Sequence, residues 1–79
     1  MARFYFDVIN GSNRHSDDTG IEIESDQVPR EATRFLTGLA QEETPDGGQA
    51  HIVVQVRDAT GHEVYWGELT LRARWNRDE

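Results

Sequence analysis

The sequence contains no cysteine, no lysine and no long hydrophobic run. Without cysteine the chain has no disulfide framework, no thiolate metal site and no cysteine nucleophile. No apolar stretch approaches the ~18 residues that a membrane-spanning helix needs, and the N-terminus lacks the pattern of a signal peptide. We therefore expect a cytoplasmic protein that does not enter membranes and whose core is stable without covalent cross-links.

Positive charge is also scarce. Fifteen acidic residues oppose eight basic ones, all of them arginine, so the formal net charge is −7. Proteins bind nucleic acids and anionic membranes by neutralising phosphates, and this charge balance disfavours both as partners. Hydrophobic residues make up 35% of the 79-residue chain, which is enough for one folded domain but leaves little room for a deep pocket.

Four segments alternate apolar and polar residues, a pattern typical of strands with one buried face. They are residues 3–9, 21–24, 51–57 and 63–72. The polar stretch 10–20 between the first two predicts a loop, and Asp58-Ala59-Thr60-Gly61 predicts a reverse turn with Gly61 in a left-handed conformation. The fourth segment changes parity at Gly67. A β-bulge at Gly67-Glu68 would bring its four large apolar residues to one face: Val64, Trp66, Leu69 and Leu71.

One segment shows the spacing of an amphipathic helix. Its apolar stripe consists of Val28, Ala32, Phe35, Leu36 and Leu39. Ser25 or Asp26 is suited to cap the helix, and Pro45 favours its end near Glu42 or Glu43. We expect Phe35 at the centre of the helix–sheet contact.

The order strand, strand, helix, strand, strand predicts an α+β fold. Specifically, we expect a two-layer β-β-α-β-β sandwich in which one helix covers one face of a four-stranded, mainly antiparallel sheet. Residues 1–72 are expected to form this single domain, and residues 73–79 a polar, frayed C-terminal tail.

Three stretches together are similar to a known family. They are residues 3–8, 18–22 and 56–64. Their aromatic first strand, Asp-x-x-Gly-x-Glu-like turn and Asp-x-x-Gly hairpin resemble a family of short proteobacterial proteins, common in rhizobia and their relatives, that is catalogued as a domain of unknown function. The resemblance covers roughly residues 3–71; the bulky pair Phe35-Leu36 and the arginine-rich tail depart from it. It implies no activity.

Side chains able to carry chemistry occur without a catalytic pattern. The acidic run Asp17, Asp18, Glu22 and Glu24 offers oxygens to a divalent cation but lacks EF-hand spacing. His15, His51 and His62 have no accompanying nucleophile motif. We therefore predict no catalytic residue, no cofactor and no metal ligand, and we interpret these residues as solvated turns and strand faces.

The most distinctive candidate surface is the face of the sheet that the helix leaves open. By strand parity we expect this face to carry Tyr5, Val53 and Tyr65, with Ile9 and Trp75 at its rim. The corresponding hypothesis is a non-enzymatic interaction module whose partner is another protein or a second copy, the latter as a weak homodimer.

Two alternatives stay open. The C-terminal arginines Arg72, Arg74 and Arg77 are candidate phosphate contacts, which would fit a nucleic-acid-associated regulator resembling antitoxins of the HicB type in pattern alone. A small ligand-binding domain or enzyme assembled across a dimer is the other alternative.

Overall fold

The computed structural model describes residues 1–43 and 48–76. Within them the strands are β1 (Ala2–Asn10), β2 (Asn13–His15), β3 (Ile21–Ile23), β4 (Gln49–Arg57) and β5 (Glu63–Arg72), and the α-helix is α1 (Val28–Glu43). All strand pairings are antiparallel, in the order β2-β1-β4-β5, and β3 pairs with β1 as well. The predicted α+β class, with one helix and an antiparallel sheet, is therefore confirmed for the described residues.

The core lies between α1 and one face of the sheet. Alternate residues of the central strand β4 are buried against the helix, and Ile52, Val54 and Val56 have no exposed surface. The buried positions of α1 recur every fourth residue, which places a single stripe over the sheet. They are Val28, Ala32, Leu36 and Ala40.

Phe35 does not occupy the centre that we expected for it. It is only partly buried, at the margin of the core, where its ring lies 5.1 Å from that of Phe6 in a tilted arrangement. Leu36 takes the central position instead, since small alanines on either side of it allow the helix to approach the sheet closely.

The segment predicted as a loop over residues 10–20 contains a further strand. β1 turns at Gly11, which has a φ of +62°, and returns as β2, so that Asn10 pairs with Asn13 and Val8 with His15. The three residues of β2 are exposed and polar, so their sequence gives no periodic signal. The turn at Gly11 brings them into register with β1. β2 and β3 therefore share one edge of β1, at its two ends.

The bulge predicted at Gly67-Glu68 is wrong. Pairing runs without interruption from Arg72 to Tyr65, with Gly67 opposite Val54, and the irregularity lies at the other end, opposite Val56 and Arg57. Opposite the buried Val54, Gly67 faces the helix, where an added Cβ would make a tight contact of 3.3 Å with Leu36 Cδ1. Val64 and Trp66 consequently do not reach the core.

The turns that precede the helix and close the hairpin follow local chemistry. A 3₁₀ turn at Ser25–Gln27 leads into α1, and Glu24, rather than Ser25 or Asp26, forms a reciprocal capping box with Gln27. In the β4–β5 turn the Gly61 amide donates to the Asp58 carbonyl at 3.0 Å, and the φ of Gly61 is +94°, as predicted.

Candidate functional site

A buried polar cluster lies on the face of the sheet opposite α1. Asp7, on β1, is 3% exposed, and its carboxylate accepts hydrogen bonds from Arg57 Nε at 2.7 Å and Arg57 Nη2 at 3.2 Å. The Asp17 amide donates to the same carboxylate at 2.8 Å, and the Asp17 carbonyl accepts from Arg57 Nη2 at 2.7 Å. Three residues distant in sequence thus join β1, β4 and the segment between β2 and β3. We call them the Asp7–Asp17–Arg57 cluster.

Asp17 also closes the gap between β2 and β3. Its side chain accepts the backbone amide of Phe6 at 3.1 Å and those of Thr19 and Gly20 at 3.0 Å each. Phe6 lies between the part of β1 paired with β3 and the part paired with β2. The Asp17 carboxylate therefore takes the place of a missing strand partner at this point of the edge.

Aromatic and aliphatic contacts cover the cluster. The Arg57 guanidinium carbon lies 4.9 Å from the centre of the Tyr5 ring, within the range of a cation–π interaction. Gly20, with a φ of +80°, passes so close that a Cβ there would lie 2.8 Å from Arg3 Cγ and 3.0 Å from Tyr5 Cε2. The Arg3 guanidinium donates to the Thr19 carbonyl at 2.9 Å.

The charges of the cluster reinforce one another. Burial acts to raise the pKa of Asp7, but the hydrogen bonds from Arg57 and from the Asp17 amide outweigh it, and the pKa is lowered. Burial acts in the same direction on Asp17, but the amides of Gly20, Phe6 and Thr19 overcome it, so that the pKa of Asp17 is also lowered. The hydrogen bond to Asp7 raises the pKa of Arg57. All three groups are therefore held in their charged forms at neutral pH.

The geometry of the cluster is that of a structural support. Among the described residues every buried side-chain nitrogen and oxygen has a hydrogen-bond partner. Asp7 and Asp17 both accept hydrogen bonds from donors within the chain, and these bonds hold the segment between β2 and β3 against β1 and β4. Sequence reasoning missed this cluster because each contact joins residues at least ten positions apart.

The predicted contact residues are dispersed in the structure. Tyr5 lies on the open face but is half-buried beneath Arg57, and Val53 lies half-buried in the middle of that face, between Ile9 and Glu68. Tyr65 is opposite the buried Val56 and packs against the core on the helix side, so its expected place on the open face is wrong. Trp75 is 79% exposed and follows the end of β5.

Besides the half-buried Tyr5, the open face presents the aromatic residue Trp66. It lies opposite Gln55 on β4 and is 48% exposed, and Val64, 49% exposed, lies near it at the start of β5. The prediction that both lie in the core rests on the assumption that every large apolar residue of β5 is buried. The regular alternation of Tyr65, Gly67 and Leu69, which places these three residues on the helix side, is the sequence signal that predicts Trp66 on the open face.

The two outer edges of the sheet differ in length and in cover. One edge of β1 is closed by the three-residue strands β2 and β3 and by Asp17 between them. The other edge is the ten-residue strand β5, and no strand of the described residues pairs with its outer side. A long edge strand without proline or lysine is a template for pairing with another chain.

The remaining candidates lie outside any common site. Arg72 ends β5 and Arg74 follows it, both exposed, while Arg77 lies outside the described residues. His51 pairs with the Glu68 carboxylate, and the His62 ring lies 3.0 Å from the Thr60 hydroxyl. The acidic run of residues 17–24 does not converge, since Glu22 pairs with Arg3 and Glu24 with the N-terminal amine.

The described residues contain neither a cluster of metal-binding side chains nor a membrane-spanning helix. No group of three or more histidine, aspartate or glutamate side chains in them is arranged to hold a metal ion. No helix formed by residues 1–43 or 48–76 is long and apolar enough to cross a membrane.

Comparison with known proteins gives one result. A family model described as "Domain of unknown function (DUF6894)" matches residues 3–70 of the chain. Neither the curated proteins nor the solved structures contain a match.

Proposed function

Because the chain belongs to the DUF6894 family, a domain of unknown function, we propose a role from its surface alone: a non-enzymatic protein-interaction module that acts in the cytoplasm. The observation that carries this proposal is the edge strand β5, whose outer side pairs with no strand of the described residues and whose Trp66 is exposed. Its partner adds a strand to the sheet, so that backbone hydrogen bonds supply affinity and alternate side chains supply specificity.

The exposed aromatic residue supports an interaction at this edge. Trp66 is large and amphipathic, and tryptophan is among the residues that most often dominate the binding energy of protein interfaces. Val64 extends the apolar surface at the same end of β5. Both are roughly half accessible in the isolated chain, at 48% and 49% exposure, so a partner has apolar surface left to cover.

The charge of the chain favours a protein over a nucleic acid as partner. With a net charge of −7, the arginines at and after the end of β5 act within a strongly acidic molecule. Exposed arginines at a strand end are equally suited to pair with carboxylates of another polypeptide.

The test is a capture experiment with paired baits. The wild-type domain and a Trp66→Ser domain are used to retain proteins from cells that express the chain, and an Arg30→Ser domain, altered on the exposed side of α1, is the matched control. We expect proteins that bind to wild type and to the control but not to Trp66→Ser. Identical retention by all three baits would contradict an interaction at this edge.

A further inference from the structure

The side chains of β5 form a self-complementary pattern. Residues 68–72 read Glu-Leu-Thr-Leu-Arg, which has an acid at one end, a base at the other and an uncharged residue at the centre. Two copies of such a segment, aligned antiparallel, place unlike charges opposite each other at both ends. We propose that the partner of the β5 edge is a second copy of this chain, paired about a two-fold axis at Thr70. This proposal rests on the proposed function and names its partner.

Antiparallel pairing of two identical strands restricts the register. Side chains opposite each other in such a pair lie on the same face of the sheet. A two-fold axis perpendicular to the sheet therefore passes between the two copies of one residue, and it pairs residues that lie equally far before and after that residue. An axis at Glu68 would place that carboxylate directly opposite its own copy, and an axis at Arg72 would do the same for the guanidinium. Like charges directly opposite each other destabilise a sheet.

An axis at Thr70 pairs complementary residues at each position. On the open face, Glu68 lies opposite the partner's Arg72, the reverse pair repeats it, and the two Thr70 side chains meet on the axis. On the helix side, Leu69 lies opposite the partner's Leu71. Opposite charges, threonine pairs and apolar pairs each stabilise adjacent strands.

The exposure of these residues fits the same arrangement. Glu68, Thr70 and Arg72 are exposed, and the Glu68 carboxylate also pairs with His51 of the same chain. Leu69 and Leu71 are half-buried against the margin of the core. A second copy would cover the part of both leucines that the first leaves open. Residues 65–72 are also the regular part of β5, since the irregular pairing with β4 lies opposite Arg57 and Glu63.

The fold supplies a reason why only one edge takes part. Opposite edges that are both free would allow copies to add without limit, whereas a two-fold pairing of β5 with β5 closes on itself. β2, β3 and Asp17 occupy the other edge of the sheet. The result is a dimer with one continuous sheet and both helices on the same side.

Charge reversal tests the pairing in solution. Glu68→Arg alone places two guanidinium groups opposite each other at both ends of the paired segment, and Arg72→Glu alone does the same with two carboxylates. We expect each single variant to weaken self-association by about tenfold, measured by sedimentation equilibrium. A one-to-one mixture of the two variants should form mixed dimers with affinity near that of wild type. In the mixed dimer a guanidinium of one chain faces a carboxylate of the other at both ends of the paired segment.

Engineered cysteines test the register, since the natural chain has none to interfere. A Thr70→Cys chain should form a disulfide-linked dimer under mild oxidation, because residues opposite each other across an antiparallel pair lie within disulfide range. Glu68→Cys and Arg72→Cys should each run as monomers on a non-reducing gel when oxidised alone, and should cross-link when mixed. Gln55→Cys, on the open face of the inner strand β4, is the matched control and should not cross-link.

The outcomes separate this proposal from the one on which it rests. Cross-linking of Thr70→Cys, together with recovery in the charge-reversed mixture, supports the Thr70 register. A wild-type chain that stays monomeric at millimolar concentration, or a cysteine pattern centred elsewhere, overturns it. If self-association is absent but Trp66→Ser still loses proteins retained by wild type, the edge binds a different polypeptide and only the second copy is refuted.

Discussion

The two edges of this sheet differ in what happens to the backbone groups that an edge strand leaves unpaired. At the β1 edge, two three-residue strands and the Asp17 carboxylate satisfy the backbone, and Asp7 and Arg57 tie that segment to the inner strands. At the β5 edge, a ten-residue strand that contains the exposed Trp66 pairs with β4 on one side, and no described strand pairs with its other side. The comparison teaches that a small domain can close one edge of its sheet with polar residues and short strands while the other edge stays unpaired among the described residues.

The largest effect is expected from breaking the closed edge. Arg57→Met removes the cation that faces Asp7, whose side chain is 5% exposed, and leaves a buried carboxylate without its main partner. We expect a loss of about 3 kcal/mol in the free energy of unfolding, at the low end for a broken buried pair because a third of the Arg57 side chain is exposed. Arg30→Met, on the exposed side of α1, should leave chemical denaturation almost unchanged.

Acid should reduce the difference between wild type and Arg57→Met. The lowered pKa values of Asp7 and Asp17 stabilise the fold above the carboxyl pKa of the unfolded chain, near 4, and this stabilisation is lost as pH falls through the folded-state values. Arg57→Met has already lost the contribution of Asp7. Denaturation curves between pH 7 and the acid limit should therefore converge, and a constant difference across that range would refute the assigned cause.

Sequence patterns predict the elements of this fold better than they predict its site. Alternation in β1 and β4 and the stripe in α1 rest on repeated apolar residues, and those elements are confirmed. The predicted parity of β5 is wrong because Gly67, without a side chain, occupies a core-facing position against Leu36. Local pattern carries no information on such close approach between a strand and a helix.

The polar residues show the same limit more strongly. By alternation Asp7 lies on the face of β1 opposite its main apolar side chains, and its burial there depends on Asp17 and Arg57, ten and fifty positions away. Position 17 in turn lies in polar sequence with no periodicity. Only the folded arrangement of β1, β4 and the segment between β2 and β3 shows that these charges pair with each other.

A single substitution made at two glycines compares the closed edge with the β4–β5 turn. Gly20 and Gly61 both have positive φ, so Gly→Ala introduces backbone strain of about 1 kcal/mol at either position. At Gly20 the new methyl group also collides with Arg3 and Tyr5, whereas at Gly61 nothing lies within 4 Å. We expect losses of about 2 and about 1 kcal/mol respectively, by thermal and chemical denaturation. Equal losses would show that Gly20 is not closely packed.

The smallest effect on folding is expected at the open edge. Trp66→Ser removes a side chain that is nearly half exposed and that packs on no core residue from the helix side. We expect the monomer's free energy of unfolding to change by about 0.5 kcal/mol or less, measured at low concentration. A loss as large as that of Arg57→Met would mean that Trp66 is a structural residue, and its exposure would need another explanation.

Backbone hydrogen exchange, followed while the protein is diluted from millimolar to low micromolar concentration, tests the contrast between the two edges most directly. Amides of residues 68–72 that point away from β4 are expected to exchange more slowly at high concentration and to lose that protection on dilution. Amides of β2 and the Phe6 amide held by Asp17 should keep the same protection throughout. Exchange in β5 that does not depend on concentration, or protection that instead appears at β2, would contradict a closed β1 edge and a self-pairing β5 edge.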